Sequence, residues 1–244
     1  MGTADRRGMS GSGLKLIAAG CMLIDHIAWA FVPTVSPLGF LLHLIGRVTA
    51  PVMCFMMAEG YRHTHSFNRY FLRVAVFAAV SYLPFLYFQT GGLPDGGNFL
   101  TFNMLYTLAL CLLALKADEM LTGPDKAATL FLLVFLSLFG DWPVAAVLFT
   151  LNFSRNRWDF KRMARNHFWI TAGFTLVFGY AYWQMGLSWG DILGNSLFQF
   201  GTLLALPLLR AYNGWKGRNI GGKWFFYIFY PAHLLALGLL RWVI

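Results

Sequence analysis

Charge is scarce in this chain. Only 12% of its 244 residues are Asp, Glu, Lys or Arg, where an ordinary soluble domain carries roughly 25%. Hydrophobic residues make up 58%, which points to one membrane domain rather than several soluble ones. Cysteine is nearly missing as well. Cys21, Cys54 and Cys111 lie in three separate apolar runs. An odd count without ligand spacing argues against a disulfide framework and gives no metal set, so these are packing residues. The first apolar run ends at Val32-Pro33-Thr34 without a small-residue cleavage pattern, so no cleavable signal peptide is expected. No internal repeat of the transporter kind is visible. The net charge of +9 does not indicate nucleic acid, because Lys and Arg sit in short loops between apolar runs, the pattern of membrane topology.

What the chain does have is length in apolar runs. A span needs about 20 mostly apolar residues, and such runs cover 14–31, 38–58, 70–88, 99–115, 167–186, 192–209 and 224–244. Between 127 and 153 the apolar pattern is interrupted by Gly140-Asp141-Trp142-Pro143. Gly, Asp and Pro together break a helix, so two short helices are expected, 127–139 and 143–153, meeting at Asp141. They form either a re-entrant pair buried against other helices or two spans. The expected fold is an all-α polytopic membrane protein, a bundle of about nine transmembrane or partly spanning helices. A Gly/Ser-rich, mobile cytoplasmic N-terminus covers 1–13, and 14–244 form a single transmembrane helical domain.

The charges set an orientation. Seventeen of the 19 Lys and Arg fall in 6–15, 62–73, 116–126, 155–165 and 210–223, all on one side of the expected membrane. Loops 33–37 and 89–98 on the other side contain none. The positive-inside rule then places the N-terminus in the cytoplasm and the C-terminus in the periplasm, in a bacterial inner membrane. Trp142, Trp169, Trp183, Trp189 and Trp224 stand at run ends, as interfacial anchors do.

Against this background the ionisable residues inside the runs stand out. A charge at bilayer depth costs at least about 2.5–3.5 kcal/mol, so such residues usually face a bundle interior or a cavity and are functional candidates. Asp25 and Arg47 are expected partners, either as a structural ion pair or as part of a site. A neutral imidazole suits general-base work near neutral pH. His26 is therefore a candidate base, or else a structural histidine on a backbone carbonyl. His233 follows Pro231, which frees a carbonyl one turn earlier, so it is read as either catalytic or bonded to that backbone. Asn103 and Gln199 are polar groups in apolar runs, and all of these are expected to share one layer. Glu59, Arg62, His63 and His65 mark the cytoplasmic end of the second run. Glu59 either pairs with Arg62 or Arg69 or belongs to a polar gateway for a cytosolic anion. The basic stretch 155–165 suits phosphate binding, but topology alone explains it, and that is the preferred reading.

These residues carry a resemblance. The stretch Leu14-Lys15 through Asp25-His26-Ile27 resembles the opening of the TraX family, bacterial conjugation proteins associated with N-terminal acetylation of pilin. The similarity continues through Ile45-Gly46-Arg47-Val48-Thr49-Ala50-Pro51, Met57-Ala58-Glu59-Gly60-Tyr61, Asn103-Met104-Leu105-Tyr106-Thr107, Gly140-Asp141-Trp142 and Phe229-Tyr230-Pro231-Ala232-His233. The spacing of Lys15 from His26 also resembles that of a basic or amide residue and a first-helix histidine in membrane acyltransferases. These are the acyltransferase-3 and heparan-glucosaminide acetyltransferase types.

The resemblance implies a membrane-embedded acetyltransferase using cytosolic acetyl-CoA. The acceptor would be an amine or hydroxyl, on a protein N-terminus such as pilin, a saccharide or a small amine. In this picture Lys15, Glu59, Arg62 and His63 meet the anionic co-substrate and His26 takes the acceptor proton. Asp25 orients the imidazolium, Asn103 or Arg47 stabilises the oxyanion, and no metal is needed. Expected partners are acetyl-CoA, the acceptor and the lipid bilayer, with no nucleic acid; a homo-oligomer is left open. The alternative is a proton-coupled transporter or channel using the same buried groups as a relay.

Overall fold

A computed structural model describes residues 8–218 and 224–243, which leaves Arg6, Arg7, Lys223 and part of the expected N-terminal tail outside the described residues. The described chain is all helical, with no strand and two isolated bridges. In chain order the α-helices are α1 (Gly11–Phe31), α2 (Pro37–Gly46), α3 (Thr49–His63), α4 (Phe67–Val80), α5 (Tyr82–Thr90), α6 (Met104–Met120), α7 (Gly123–Leu136), α8 (Ala145–Arg155), α9 (Phe160–Gln184), α10 (Trp189–Leu197), α11 (Ala205–Arg210) and α12 (Phe225–Val243). Short 3-10 segments run over Ser137–Phe139 and Phe198–Leu204. Five stretches are long and apolar enough to cross a membrane: Gly11–Phe31, Pro37–His63, Phe67–Thr90, Trp189–Arg210 and Phe225–Val243. α9 is longer than most of these, but its first turns carry Lys161, Arg162 and Arg165.

Local sequence explains the starts. Ser10, Ser36, Ser66 and Ser188 cap α1, α2, α4 and α10, each side chain accepting a backbone N–H three residues on, and Pro37 opens α2 where its missing N–H costs nothing. α1 begins at Gly11, ahead of the expected residue 14. Residues 9–12 are also tied down: Met9 N–H donates to Ala211 O at 2.7 Å, Gly11 N–H to Trp215 O at 2.8 Å and Ser12 N–H to Lys216 O at 2.9 Å.

Packing divides the chain into two compact units, Met1–Met56 with Phe160–Phe225, and Met57–Asp159 with Phe226–Ile244. In the first unit α1 packs on α2, α2 packs on Phe198–Leu204, and α9 and α10 pack on the same 3-10 segment. The expected run 38–58 lies within the stretch Pro37–His63, with a two-residue turn at Arg47-Val48 between α2 and α3. Glycine permits the close approach there: a Cβ at Gly46 would overlap the Asp25 side chain, and one at Gly201 would overlap the Leu44 carbonyl.

The second unit is built on α6, which buries residues all round its circumference, from Met104 to Ala117, as a core helix does. α4, α7 and α8 pack around it. The break expected at Gly140-Asp141-Trp142-Pro143 is present and holds two non-glycine residues at positive φ, Trp142 at 57° and Val144 at 61°. Such a φ is costly for bulky and β-branched residues, so the loop needs holding. Phe102 N–H donates to Phe139 O at 2.7 Å, Asp141 N–H to Phe102 O at 2.9 Å, and Thr107 Oγ1 to Asp141 O at 2.7 Å.

Candidate functional site

The polar residues expected to share one layer divide between the units. Asp25, His26, Arg47 and Gln199 belong to the first, Asn103 and His233 to the second.

In the first unit Asp25 is buried on α1 and faces α2. The Arg47 guanidinium donates to its Oδ2 at 2.5 Å, so the expected ion pair is present. The imidazole on its Oδ1 is that of His43, with Nδ1 at 2.9 Å. This corrects the reading in which Asp25 orients His26; His26 is half-buried beside it. Position along the chain hides this pairing. One signal was available, since His43 and Arg47 stand four residues apart on one face of a helix and reach one carboxylate together. The His43 ring is clamped, with Trp29 at 4.5 Å and Phe198 at 5.1 Å between ring centroids. The Arg47 guanidinium lies 5.1 Å from the Phe198 ring. A carboxylate cannot donate, so the His43 proton sits on Nδ1. Nε2 is buried without a hydrogen-bond partner, as is Gln199 Oε1 on the segment that packs against α2. Below this cluster His167 Nε2 bonds Thr202 O at 3.1 Å, and the Thr171 and Thr202 hydroxyls meet at 2.7 Å.

In the second unit the polar groups serve the backbone. Asn103 is the N-cap of α6. Its Oδ1 accepts from the N–H groups of Leu105 and Tyr106, and its Nδ2 donates to Ala78 O at 2.7 Å. The amide oxygen thus holds the start of α6, and the amide nitrogen ties that start to α4. Met104 N–H donates to the Tyr230 hydroxyl at 3.2 Å. His233 Nδ1 bonds Phe229 O at 2.7 Å, the carbonyl one turn before its own position. Pro231 instead has no N–H to give the carbonyl of Tyr227, four residues before itself, so the two are separate features.

The other end of this unit gathers charge. Glu59 is 3% exposed, with Arg157 at 3.2 Å, Arg62 at 3.7 Å and His63 at 3.9 Å. Arg62 also donates to Ser154 O. Asp118 takes a two-pronged hydrogen bond from Arg155, at 3.0 and 2.6 Å, with Lys126 at 3.3 Å. The Arg155 hydrogen bonds hold the Asp118 carboxyl below its ordinary range and push the guanidinium up. Lys15 is half-buried near the start of α1, in the first unit. Among the described residues no group of three or more His, Cys, Asp or Glu is arranged to hold a metal ion.

A family model, TraX protein, matches residues 10–241. The chain belongs to the TraX family. A probable fimbrial assembly protein FimC, serogroup H1, of Dichelobacter nodosus is 32% identical over 229 residues, covering 92% of each chain. No solved structure matches. The TraX-like blocks named from the sequence meet within units. Asp25-His26 and Gly46-Arg47 come together in the first. Asn103–Thr107, Gly140–Trp142 and Tyr230 come together in the second. This TraX chain is therefore a multi-pass membrane protein with a buried carboxylate–imidazole–guanidinium cluster in one unit.

Proposed function

We propose that this protein is an acetyltransferase of the bacterial inner membrane, with its N-terminus cytoplasmic and its C-terminus periplasmic. It moves an acetyl group from cytosolic acetyl-CoA to an amine or hydroxyl, with a pilin N-terminus the first acceptor to try. The observation that carries this reading is the Asp25 cluster. A buried carboxylate that fixes an imidazole tautomer beside a cation is the arrangement that acid–base catalysed acyl transfer uses. The family and the fimbrial name of the relative support a pilin-linked role.

In this reading one of the two imidazoles next to Asp25 takes the acceptor proton: His26, from its spacing to Lys15, or His43, from its bond to the carboxylate. Arg47 supplies positive charge toward the thioester oxyanion. Lys15, on α1 of the same unit, is a proposed contact of the anionic co-substrate. Taken by itself, the Glu59, Arg62, His63 and Arg157 cluster of the second unit suits a phosphate, with Glu59 as the competing anion.

The test is thermal stability of detergent-solubilised protein. Both CoA and acetyl-CoA raise Tm by mass action on a folded-state site. Absence of any shift at millimolar ligand favours the other reading, a proton-coupled transporter or channel, for which the same buried triad would be a relay. Orientation has its own test. A cysteine placed in 89–98 is labelled by an impermeant reagent from the periplasm and one placed in 155–165 is not; the opposite pattern removes the proposed side of acetyl-CoA entry.

A further inference from the structure

We infer that His43 is the imidazole that accepts the acceptor's proton in acetyl transfer, a role that rests on the acetyltransferase reading above. Three observations on the same residue carry it. Asp25 Oδ1 fixes the ring in its Nδ1–H form at 2.9 Å, so Nε2 holds the lone pair. Arg47 on the other carboxylate oxygen balances the Asp25 charge and completes the cluster. Nε2 itself is buried and takes no hydrogen bond from the protein, an unmet acceptor of the kind native structures usually satisfy. His26 neighbours the same carboxylate in sequence, but both Asp25 oxygens already hold His43 and Arg47.

The surroundings hold the ring still. Phe198 lies on it at an interplanar angle of 34° and Trp29 at 49°. Of these two covering rings Trp29 is partly exposed, at 38%, and Phe198 is buried. Gly46, directly against Asp25, keeps α2 close enough for the His43 bond.

The step balances. The acceptor nitrogen or oxygen attacks the acetyl carbonyl carbon and a new C–N or C–O bond forms. Its proton passes to His43 Nε2, the C–S bond breaks, and the departing CoA thiolate takes that proton from the imidazolium. No oxidant or metal is required.

The decisive variant is His43→Asn, whose side-chain amide can still donate to Asp25 but has no nitrogen lone pair to take a proton. It is expected to fold, to keep the CoA-induced rise in Tm, and to lose about 10²–10⁴-fold in kcat for acetyl transfer, with KM for acetyl-CoA little changed. Transfer within about three-fold of wild type, below the range for lost acid–base catalysis, in a folded His43→Asn protein overturns the assignment and leaves the acetyltransferase reading standing. A wild-type protein that is neither stabilised by CoA nor able to acetylate any amine overturns both. Should His43→Asn not fold, Trp29→Ala removes the covering ring without touching the Asp25 bond. A changed transfer rate with an unchanged CoA shift supports the role, and a rate indistinguishable from wild type overturns it.

Discussion

The two units hold similar polar residues in apolar surroundings and use them differently. In the second unit Asn103, Thr107 and His233 bond to backbone groups, where they cap α6, anchor the strained loop at Trp142 and Val144, and fill a turn of α12. In the first unit Asp25, His43 and Arg47 bond to one another, and an imidazole nitrogen is left over. What sets the Asp25 cluster apart is that three buried side chains meet on one carboxylate, and that its imidazole keeps a nitrogen without a hydrogen bond. A buried polar residue in a span is therefore weak evidence of chemistry until its partners are known.

The comparison can be broken most strongly at Arg47. Arg47→Ala removes the cation opposite a buried carboxylate, and breaking a buried pair by deleting one partner costs about 3–5 kcal/mol. Unfolding measured in detergent should show this loss. A loss under about 1 kcal/mol, the worth of an exposed pair, would mean that Asp25 is not committed to Arg47. In the second unit Asn103→Ala should cost about 1 kcal/mol, the usual value of an N-cap, while leaving acetyl transfer by the folded protein near wild type. A kinetic defect larger than the stability defect would return Asn103 to the chemistry.

The smallest effect is expected at the exposed charges. Asp118 is held below the ordinary carboxylate value of 3.8, first by its hydrogen bonds from Arg155. A depressed folded-state value stabilises the fold above about pH 4 and loses that contribution as pH falls through it. Salt and solvent screen such a pair, so Tm of wild type and Asp118→Asn should converge only modestly on acidification. Curves that stay parallel down to pH 3, on the order of one unit below the ordinary carboxylate pKa, would show that the pair does not contribute.

Much of this was legible from residue order. The helix break at Gly140–Pro143 follows from Gly, Asp and Pro in one place, and the Asp25–Arg47 pair from the cost of leaving either charge alone at bilayer depth. Neighbours in sequence need not be partners in space. Asp25 precedes His26, but a helix turns about 100° per residue, so adjacent side chains point in different directions and a partner comes from another helix. His43 carried only a helical-spacing signal, and Asn103 looked like a free amide because a cap cannot be distinguished from one until the helix start is placed.

Hydrophobicity alone determined that this chain is a helical membrane protein, because a lipid-exposed backbone must satisfy its hydrogen bonds within the segment. Its short motifs determined the family. Only the tertiary structure decided that Gly46 lets α2 close on Asp25, that His43 rather than its sequence neighbour occupies the carboxylate, and that Asn103 holds a helix start. Those choices depend on close approaches between elements far apart in the chain, down to the space one Cβ would fill.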